Sequence, residues 1–231
     1  MNINQIEHLP LFKNIDTLVV SKLVQHSSLR NYKKGQLIFL HENNIEYFYI
    51  ILSGWVQLFR DTLDGQESFI GLAIFNDLIG GFDFDKQAHS FSAKAINESE
   101  LLLLPYDILK ESIGNNGMLA LKIIQSLNST KSLLELQLEH NSTMITTQRV
   151  GCFILRLLNK DQPELKINLP CDKTLIASYL GMKRETFSRS LNDLRAVGVT
   201  VDGHSISVEN IENLIKFTCV SCSLTYDTCK N

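Results

Sequence analysis

The sequence predicts an α+β fold in which an N-terminal β-roll, or jelly roll, is followed by a long helix and a winged helix-turn-helix. Three observations lead to this prediction. Short β-prone runs separated by glycines fill residues 11–104. A heptad repeat follows between residues 116 and 145. Two short helical patterns then flank Gly181, and a hairpin pattern comes after them.

Size and composition favour a globular protein of two domains. The chain has 231 residues, of which 44% are hydrophobic and 20% charged, so cores can form and disorder is not favoured. No apolar run approaches the ~20 residues of a membrane span. The first residues lack the basic start and apolar core of a signal peptide. We therefore expect a cytoplasmic protein with no membrane partner.

Six runs rich in β-branched, aromatic or leucine residues predict the strands of the roll. They are Gln36–Leu40, Glu46–Leu52, Gly54–Arg60, Gln66–Ala73, Phe91–Ile96 and Ser99–Leu104. Helices are predicted only at the edges, over Asp16–His26 and Asp107–Ile113. The sequence carries no G-x-S-x-G, no H-E-x-x-H and no glycine-rich phosphate loop. We therefore expect a container or scaffold and not an enzyme.

The predicted long helix carries a seam that indicates a dimer. Its positions recur at alternating steps of four and three residues, namely Leu127, Lys131, Leu134, Leu138, Asn141 and Ile145. The two polar residues in this set can fix register and partner number at some cost in stability. Packing of the helix on its own β-domain is the alternative. We favour a parallel homodimer, because a single helix-turn-helix reads too few base pairs.

Residues 172–197 predict the helix-turn-helix itself. Its apolar residues fall on one face of each helix, namely Leu175, Ile176, Ala177 and Leu180 in the first and Phe187, Leu191 and Leu194 in the second. Between the helices, Gly181 can take the positive φ that a sharp turn requires. A motif of this build presents its second helix to the DNA major groove.

The second helix exposes groups that can read bases. Arg184, Glu185, Ser188 and Arg189 share one arc of about 140°, away from the apolar residues. Arginine pairs with guanine O6 and N7, glutamate accepts from the cytosine amino group, and serine can do either. The alternative is a solvated face with a weak Glu185–Arg189 ion pair. The surrounding motif favours double-stranded DNA as the partner.

A wing and a local basic balance support this interpretation. Val199–Val201 and Ser205–Val208 flank an Asp-Gly turn, and Gly198 ends the preceding helix. A hairpin in this place usually lies along the phosphate backbone. The chain has a net charge of −3, but residues 146–210 carry +2 and the remainder −5. Basic charge is therefore concentrated where phosphates would bind.

Residues 11–215 resemble the Crp/Fnr family of bacterial transcription regulators. The matching stretches are YKKGQLIF, FYIILSGWVQLFR with the following DGQ, the LIGG segment and RETFSRSL. In the last stretch Glu185, Ser188 and Arg189 match the E-x-x-S-R of the Fnr branch. Arg184, Glu185 and Arg189 also match the R-E-x-x-x-R of the Crp branch. FYIILSG followed by DGQE is most similar to the DNR-type regulators that respond to nitric oxide.

The resemblance implies four segments. Residues 1–115 would form a cyclic-nucleotide-binding-type β-roll that acts as the sensor, and residues 116–145 a dimerisation helix. Residues 146–215 would form the winged helix-turn-helix DNA-binding domain, and residues 216–231 a cysteine-bearing tail. RNA polymerase is the expected protein partner. The competing hypothesis is a ligand- or metal-binding module whose winged helix mediates protein contacts.

The resemblance also implies a palindromic operator with TTGA-type half-sites. Arg189 would read the guanine and Glu185 the opposed cytosine, while Arg184 would add a second guanine or a phosphate contact. Further DNA contacts are expected from the flanking residues Lys173, Thr174, Lys183 and Thr186. Lys183 stands where a Ser or Thr cap is common, so we expect a weaker helix cap there.

The effector pocket implied by the resemblance consists of Gly80, Gly81, His89 and Ser90. The cyclic nucleotide site of the family needs a glutamate for the ribose and an arginine for the cyclic phosphate. Gly81 and His89 stand at those positions. Because a neutral imidazole is a poor substitute for a bidentate guanidinium, cyclic AMP is not expected.

Two other kinds of cofactor site stay open, one formed by cysteines and one by histidines. Cys219, Cys222 and Cys229 form a C-x2-C-x6-C pattern, which in a reducing compartment suits an iron–sulfur cluster or zinc better than a disulfide. Another cysteine or an aspartate would supply the fourth ligand. Three reduced thiols on a mobile terminus are the alternative. Haem, as in the nitric oxide branch, is the other cofactor, with His89 and His140 as the histidines to test.

Overall fold

The computed structural model describes residue 6 and residues 8–81, 88–158, 165–169 and 172–223. The chain forms two compact units, Met1–Lys131 and Ser132–Asn231. The first unit contains α1 (Thr17–His26), β1 (Ser28–Tyr32), β2 (Leu37–Phe39), β3 (Tyr47–Ser53), β4 (Val56–Asp61), β5 (Glu67–Ala73), β6 (Leu78–Ile79), β7 (Ser92–Ala95), β8 (Ser99–Pro105) and α2 (Tyr106–Asn115). The boundary between the units falls inside a long helix, α3 (Gly117–Thr143).

The strands of the first unit form two antiparallel four-stranded sheets, in the orders β1-β8-β3-β6 and β2-β7-β4-β5. Strand β8 shows how the sequence builds this arrangement. Leu101 and Leu103 belong to an inner core that takes residues from both sheets. Leu102 and Leu104 belong to a second core formed with residues of α1 and α2. A continuous leucine run is therefore buried on both of its faces.

The β-roll prediction is confirmed, with two additions. All six predicted strands are present, with ends that differ from the prediction by at most two residues. Strands β1 and β6 were not predicted from the sequence. Strand β1 pairs along its whole length with β8, from Ser28 opposite Leu103 to Tyr32 opposite Ser99.

The long helix leaves most of its predicted apolar seam exposed. Its first turns belong to the core of the first unit, where Leu119 and Ile123 are buried. Farther along, Leu134 is 54% and Leu138 70% exposed. The helix ends at Thr143, so Ile145 lies beyond it and the predicted seam is one position too long. Among the described residues, no helix is both long and apolar enough to cross a membrane.

The second unit combines helices with a small sheet. Its elements are α4 (Thr146–Leu157), β9 (Lys166–Asn168), α5 (Lys173–Tyr179), α6 (Arg184–Asp193), a 3₁₀ turn (Leu194–Val197), β10 (Val199–Asp202), β11 (Ser205–Val208), α7 (Ile211–Thr218) and a last 3₁₀ turn (Cys219–Ser221). The sheet order is β10-β11-β9. Helices α4 and α7 approach closely because Gly151 has no side chain, and a Cβ there would lie 2.4 Å from the Thr218 hydroxyl.

We expect Gly54→Ala to destabilise the first unit much more than Gly65→Ala. Both glycines have a left-handed φ, +84° and +76°, so both substitutions cost about 1–2 kcal/mol of backbone strain. A Cβ at Gly54 would also lie 2.5 Å from the Glu98 carbonyl oxygen, whereas Gly65 has open space. Overpacking of this kind adds about 1–3 kcal/mol. Thermal and urea unfolding of the two variants measures the difference, and equal losses would contradict this packing.

Candidate nucleic-acid interface

Helices α5 and α6 form the predicted helix-turn-helix. At the turn Gly181 has a φ of +63°, and the Met182 amide donates to the Ala177 carbonyl at 2.9 Å. The Arg149 guanidinium on α4 donates to the Leu180 carbonyl at 3.1 Å and also to the side chain of Asn141 on α3. The turn is therefore held by a cation from outside the motif as well as by its own glycine.

The apolar face of α6 is buried as predicted. Phe187 and Leu194 are fully buried, and Leu191 is 2% exposed. Two polar contacts fix the same face on α4: the Ser190 hydroxyl donates to Thr146 Oγ1 at 3.2 Å, and the Thr147 hydroxyl is 3.5 Å from Asp193 Oδ2. The rotation of α6 about its axis is therefore determined, and with it the set of residues that face solvent.

The opposite face of α6 carries the residues predicted to read bases. Arg184, Glu185 and Arg189 are exposed, and Ser188 and Thr186 are half-buried. Their side chains make no hydrogen bond or ion pair to any described residue, so the alternative Glu185–Arg189 ion pair is not formed. Among the described residues, Glu185 and Arg189 therefore have no competing partner and can pair with a ligand, whereas Arg184 interacts electrostatically with the Asp172 carboxylate.

The predicted phosphate-contacting residues lie at the starts of the two helices. Asp172 caps α5 by accepting from the Thr174 amide at 2.8 Å, and this bond holds the pKa of its carboxyl below the ordinary value. Lys173 is half-buried, and the side chain of Thr174 is exposed. Lys183 is exposed and precedes α6 without any side-chain cap bond, as expected for a lysine there.

The predicted wing is present beside the helices. Strands β10 and β11 pair from Val199 opposite Val208 to Asp202 opposite Ser205, and Gly203 in their turn has a φ of +59°. Strand β9 extends the sheet on the side of β11. Gly198 has the left-handed conformation, with a φ of +86°, that was expected where the chain leaves the second helix.

The candidate effector residues lie in the first unit, in the segments that follow β6 and precede β7. A Cβ at Gly81 would lie 2.1 Å from the end of the Ile45 side chain, so no carboxylate fits there unless that side chain moves. The Ser90 carbonyl accepts from Arg60 Nε at 2.6 Å. His89 is 3% exposed and stacks on Phe39 with 3.9 Å between ring centroids. Burial lowers the pKa of His89 to about 4, so the ring is uncharged at neutral pH.

We expect the buried imidazole of His89 to make stability depend on pH. The pKa is about 4 in the folded state and 6.5 in the unfolded state, so the unfolded chain binds more protons between these values. The contribution of His89 to the free energy of unfolding is fully present above pH 6.5. It falls by up to about 3 kcal/mol as the pH drops to 4. Unfolding of His89→Phe at several pH values should lack this loss. The exposed-site variant His41→Gln serves as the control, and equal pH slopes for wild type and His89→Phe would contradict the prediction.

The described part of the cysteine-bearing tail docks on the end of α3. Ser223 donates to the Glu139 carboxylate twice, from its amide at 2.9 Å and its hydroxyl at 2.7 Å, and these bonds lower the pKa of Glu139. Cys222 Sγ lies 3.4 Å from His140 Nε2. Among the described residues no three His, Cys, Asp or Glu side chains are grouped to hold a metal ion. Of the three predicted ligands, Cys229 lies outside the described residues.

A β-roll unit and a winged helix-turn-helix whose second helix has an exposed polar and charged face are together typical of a DNA-binding transcription regulator. Comparison with protein families agrees: residues 29–116 match a cyclic nucleotide-binding domain and residues 148–217 a Crp-like helix-turn-helix domain. The chain belongs to the Crp/Fnr family of transcription regulators, in its Fnr-like branch.

Individual relatives support this membership. The chain is 25% identical to the anaerobic regulatory protein of Haemophilus influenzae over 191 residues, which cover 80% of this chain and 74% of that protein. It is 29% identical to the cyclic AMP receptor protein of Thermus thermophilus over 191 residues, which cover 82% and 87%. The structure of FixK2 from Bradyrhizobium japonicum shares the fold, with a TM-score of 0.71 at 23% identity over 81% of this chain and 95% of that one.

Proposed function

We propose that the protein binds a palindrome of TTGA-type half-sites as a homodimer and controls transcription through RNA polymerase, without catalysing a reaction of its own. The observation that carries the proposal is the exposed set Arg184, Glu185 and Arg189, held in a fixed rotation by buried Phe187. These three side chains make no hydrogen bond or ion pair to a described residue. In this proposal Arg189 pairs with the half-site guanine and Glu185 with the opposed cytosine. Ser188 and Arg184 contact neighbouring bases or phosphates.

The remaining interface residues would supply phosphate contacts. Lys173, Thr174, Lys183 and Thr186 lie at the starts of the two helices, where side chains and amide groups can approach the backbone of the duplex. These contacts would give affinity that falls steeply with salt and carries no sequence information. Sequence preference would come from Glu185 and Arg189.

The dimer would form along the exposed seam of α3. Leu127, Leu134 and Leu138 are between 42% and 70% exposed in the single chain. Apolar side chains at heptad spacing on an exposed helix face are typical of a helix-helix interface. Two copies related by a two-fold axis would present two copies of α6 to half-sites one helical turn apart.

A mobility shift at fixed salt tests the proposal. Wild-type protein is titrated onto a duplex with two TTGA half-sites and onto a duplex of the same composition with those bases scrambled. Specific proteins of this kind bind their sites about 10³–10⁷-fold more tightly than other DNA. Equal binding to both duplexes would contradict the proposal and leave the competing hypothesis of a winged helix used for protein contacts.

A metal-based signal is supported by the contact between the tail and α3. Ligand bonds of about 2.3 Å to sulfur and about 2.0–2.1 Å to nitrogen on a tetrahedral ion place the two donors about 3.5 Å apart. Cys222 Sγ and His140 Nε2 are 3.4 Å apart, so both could bind one ion. Cys219 would have to move to add its thiolate, because it is not grouped with Cys222 and His140 among the described residues. With Cys229 as a further thiolate, His140 would be the fourth ligand of a zinc ion or of a [2Fe–2S] cluster. Cyclic AMP is not part of the proposal, because the residues at Gly81 and His89 lack the charges it needs.

Anaerobic purification followed by an absorption spectrum and by iron and zinc analysis tests the cofactor. A broad band in the visible range together with iron supports a cluster, and zinc without colour supports a zinc ion. A Soret band would instead indicate haem, for which His89 and His140 are the histidines to replace. Colourless, metal-free protein that still binds the palindrome would rule out all three cofactors.

A further inference from the structure

The first unit contains a cavity of about 530 Å³ beside His89. This volume lies within the range of small-molecule sites. Its buried side is aromatic, formed by Phe39, Tyr49 and His89, which are 3–7% exposed. Its exposed side carries the carboxylates of Glu42 and Glu46 together with two asparagine amides. A ligand would therefore contact aromatic side chains on the buried side of the cavity and carboxylates on its exposed side, which is its rim.

The cavity offers no positive charge from its described lining residues, because none of them is a lysine or arginine. His89 is nearly fully buried, and its Nδ1 has no hydrogen-bond partner among the described residues. An imidazolium without a partner in such a place is costly, so the ring stays neutral. Arg30 acts electrostatically on the Tyr49 hydroxyl, but it does not line the cavity. An anionic ligand would thus meet two carboxylates and no cation among the described lining residues.

Backbone hydrogen bonds connect the exposed, acidic side of the cavity to its buried, aromatic side. The Glu42 amide donates to the His89 carbonyl at 2.9 Å, and the His89 amide donates to the Asn43 carbonyl at 3.0 Å. Phe39 packs between His89 and Tyr49, at 3.9 Å and 5.2 Å between ring centroids. Because both sides are held in one hydrogen-bonded and stacked arrangement, the acidic and aromatic groups keep their places without a ligand.

We propose that this cavity binds a small organic cation, with its ammonium group at Glu42 and Glu46 and its apolar body against Phe39 and Tyr49. Carboxylates at the mouth supply the charge that an ammonium group needs, and the buried aromatic side chains supply apolar area for the body of the ligand. The inference deepens the sensor role of the β-roll and rests on the proposed function only for the consequence of binding, which is a change in DNA affinity.

Three probes with the same ring and different charge test the proposal. Benzylamine, benzyl alcohol and benzoate are titrated into the full-length protein by calorimetry at neutral pH, with cyclic AMP as a fourth probe. We expect benzylamine to bind at least tenfold more tightly than benzyl alcohol and benzoate not to bind. Benzoate or cyclic AMP binding as tightly as benzylamine would overturn the proposal, and so would the absence of any binding.

Charge-neutral variants locate the site. The double variant Glu42→Gln and Glu46→Gln should bind benzylamine at least tenfold more weakly, with benzyl alcohol affinity unchanged. Glu98→Gln, an exposed carboxylate that does not line the cavity, should bind both probes as wild type does. An unchanged double variant would overturn the proposal. The same proteins are tested on the palindrome, so failure of DNA binding, which concerns the proposed function, is read separately from failure of cation binding.

Discussion

Replacing Arg189 or Glu185 with alanine should abolish specific binding to a TTGA-type palindrome while leaving the fold intact. Each good bidentate pair with a base is worth about 1–3 kcal/mol, and a dimer loses the pair in both half-sites. The expected loss for either variant is therefore about 2–6 kcal/mol, at least about 30-fold in affinity. Both side chains are exposed and make no hydrogen bond or ion pair to a described residue, so their removal should cost little stability.

Two further variants separate base reading from charge. Lys216→Ala removes one exposed positive charge from α7 in the same unit and should leave affinity for the palindrome within a small factor of wild type. Lys183→Ala removes a proposed phosphate contact, so it should weaken binding to specific and random DNA alike and reduce the salt slope by about 1 per site. If Arg189→Ala behaved like Lys183→Ala, the residue would be a phosphate contact and not a base reader.

Phe187→Ala should unfold the second unit more readily than any other change considered above. Phe187 is fully buried on the face that fixes the rotation of α6. Truncation of a buried phenylalanine to alanine costs about 3–5 kcal/mol, because apolar burial is lost and a cavity is left. Denaturant unfolding followed by circular dichroism measures the loss, and specific DNA binding should fall with it.

Two matched variants give the controls for Phe187. Phe187→Leu keeps most of the volume and should cost less than about 1.5 kcal/mol. Val220→Ala truncates an apolar side chain that is 74% exposed, so its effect should lie within about 0.5 kcal/mol. Equal stability of Phe187→Ala and Val220→Ala would show that the apolar side of α6 is not packed as described.

The parts of the fold that could be predicted from the sequence are those whose residues follow a local period. Phe187, Leu191 and Leu194 recur at helical spacing, and all three are buried. The conformations of Gly181 and Gly198 follow from local turn and cap chemistry in the same way. Because the sequence predicts which face of α6 is buried, it also predicts the exposed face with Glu185 and Arg189.

Strand β1 could not be predicted, because its residues carry no local signal. The sequence SLRNY has a single buried position, Tyr32, and no alternation of apolar and polar residues. It is a strand because its backbone pairs with β8, more than sixty residues away in the chain. Strand β6 has only two residues, too few for any period to appear. Pairing of this kind depends on tertiary structure and not on propensity.

The polar contacts around the end of α3 could not be predicted from the sequence either. Cysteine spacing indicated Cys219 and Cys222, but nothing in the sequence linked them to His140, which lies 82 residues before Cys222. The bond from Arg149 to the Leu180 carbonyl likewise joins two helices with no shared pattern.

The lining of the cavity beside His89 could not be predicted from the sequence for the same reason. Only His89 of the four predicted effector residues lines the cavity, and Glu42 and Glu46 gave no signal.

A double-mutant cycle between protein and DNA tests most directly the claim that Arg189 reads the half-site guanine. Equilibrium binding is measured for wild type and Arg189→Ala, each on the TTGA palindrome and on a duplex whose guanine–cytosine pairs are changed to adenine–thymine. On the changed duplex wild type loses the contacts of both Arg189 and Glu185, whereas Arg189→Ala loses only the contact of Glu185. Wild type should therefore lose about 1–3 kcal/mol per half-site more than the variant. Equal losses for both proteins would contradict the claim.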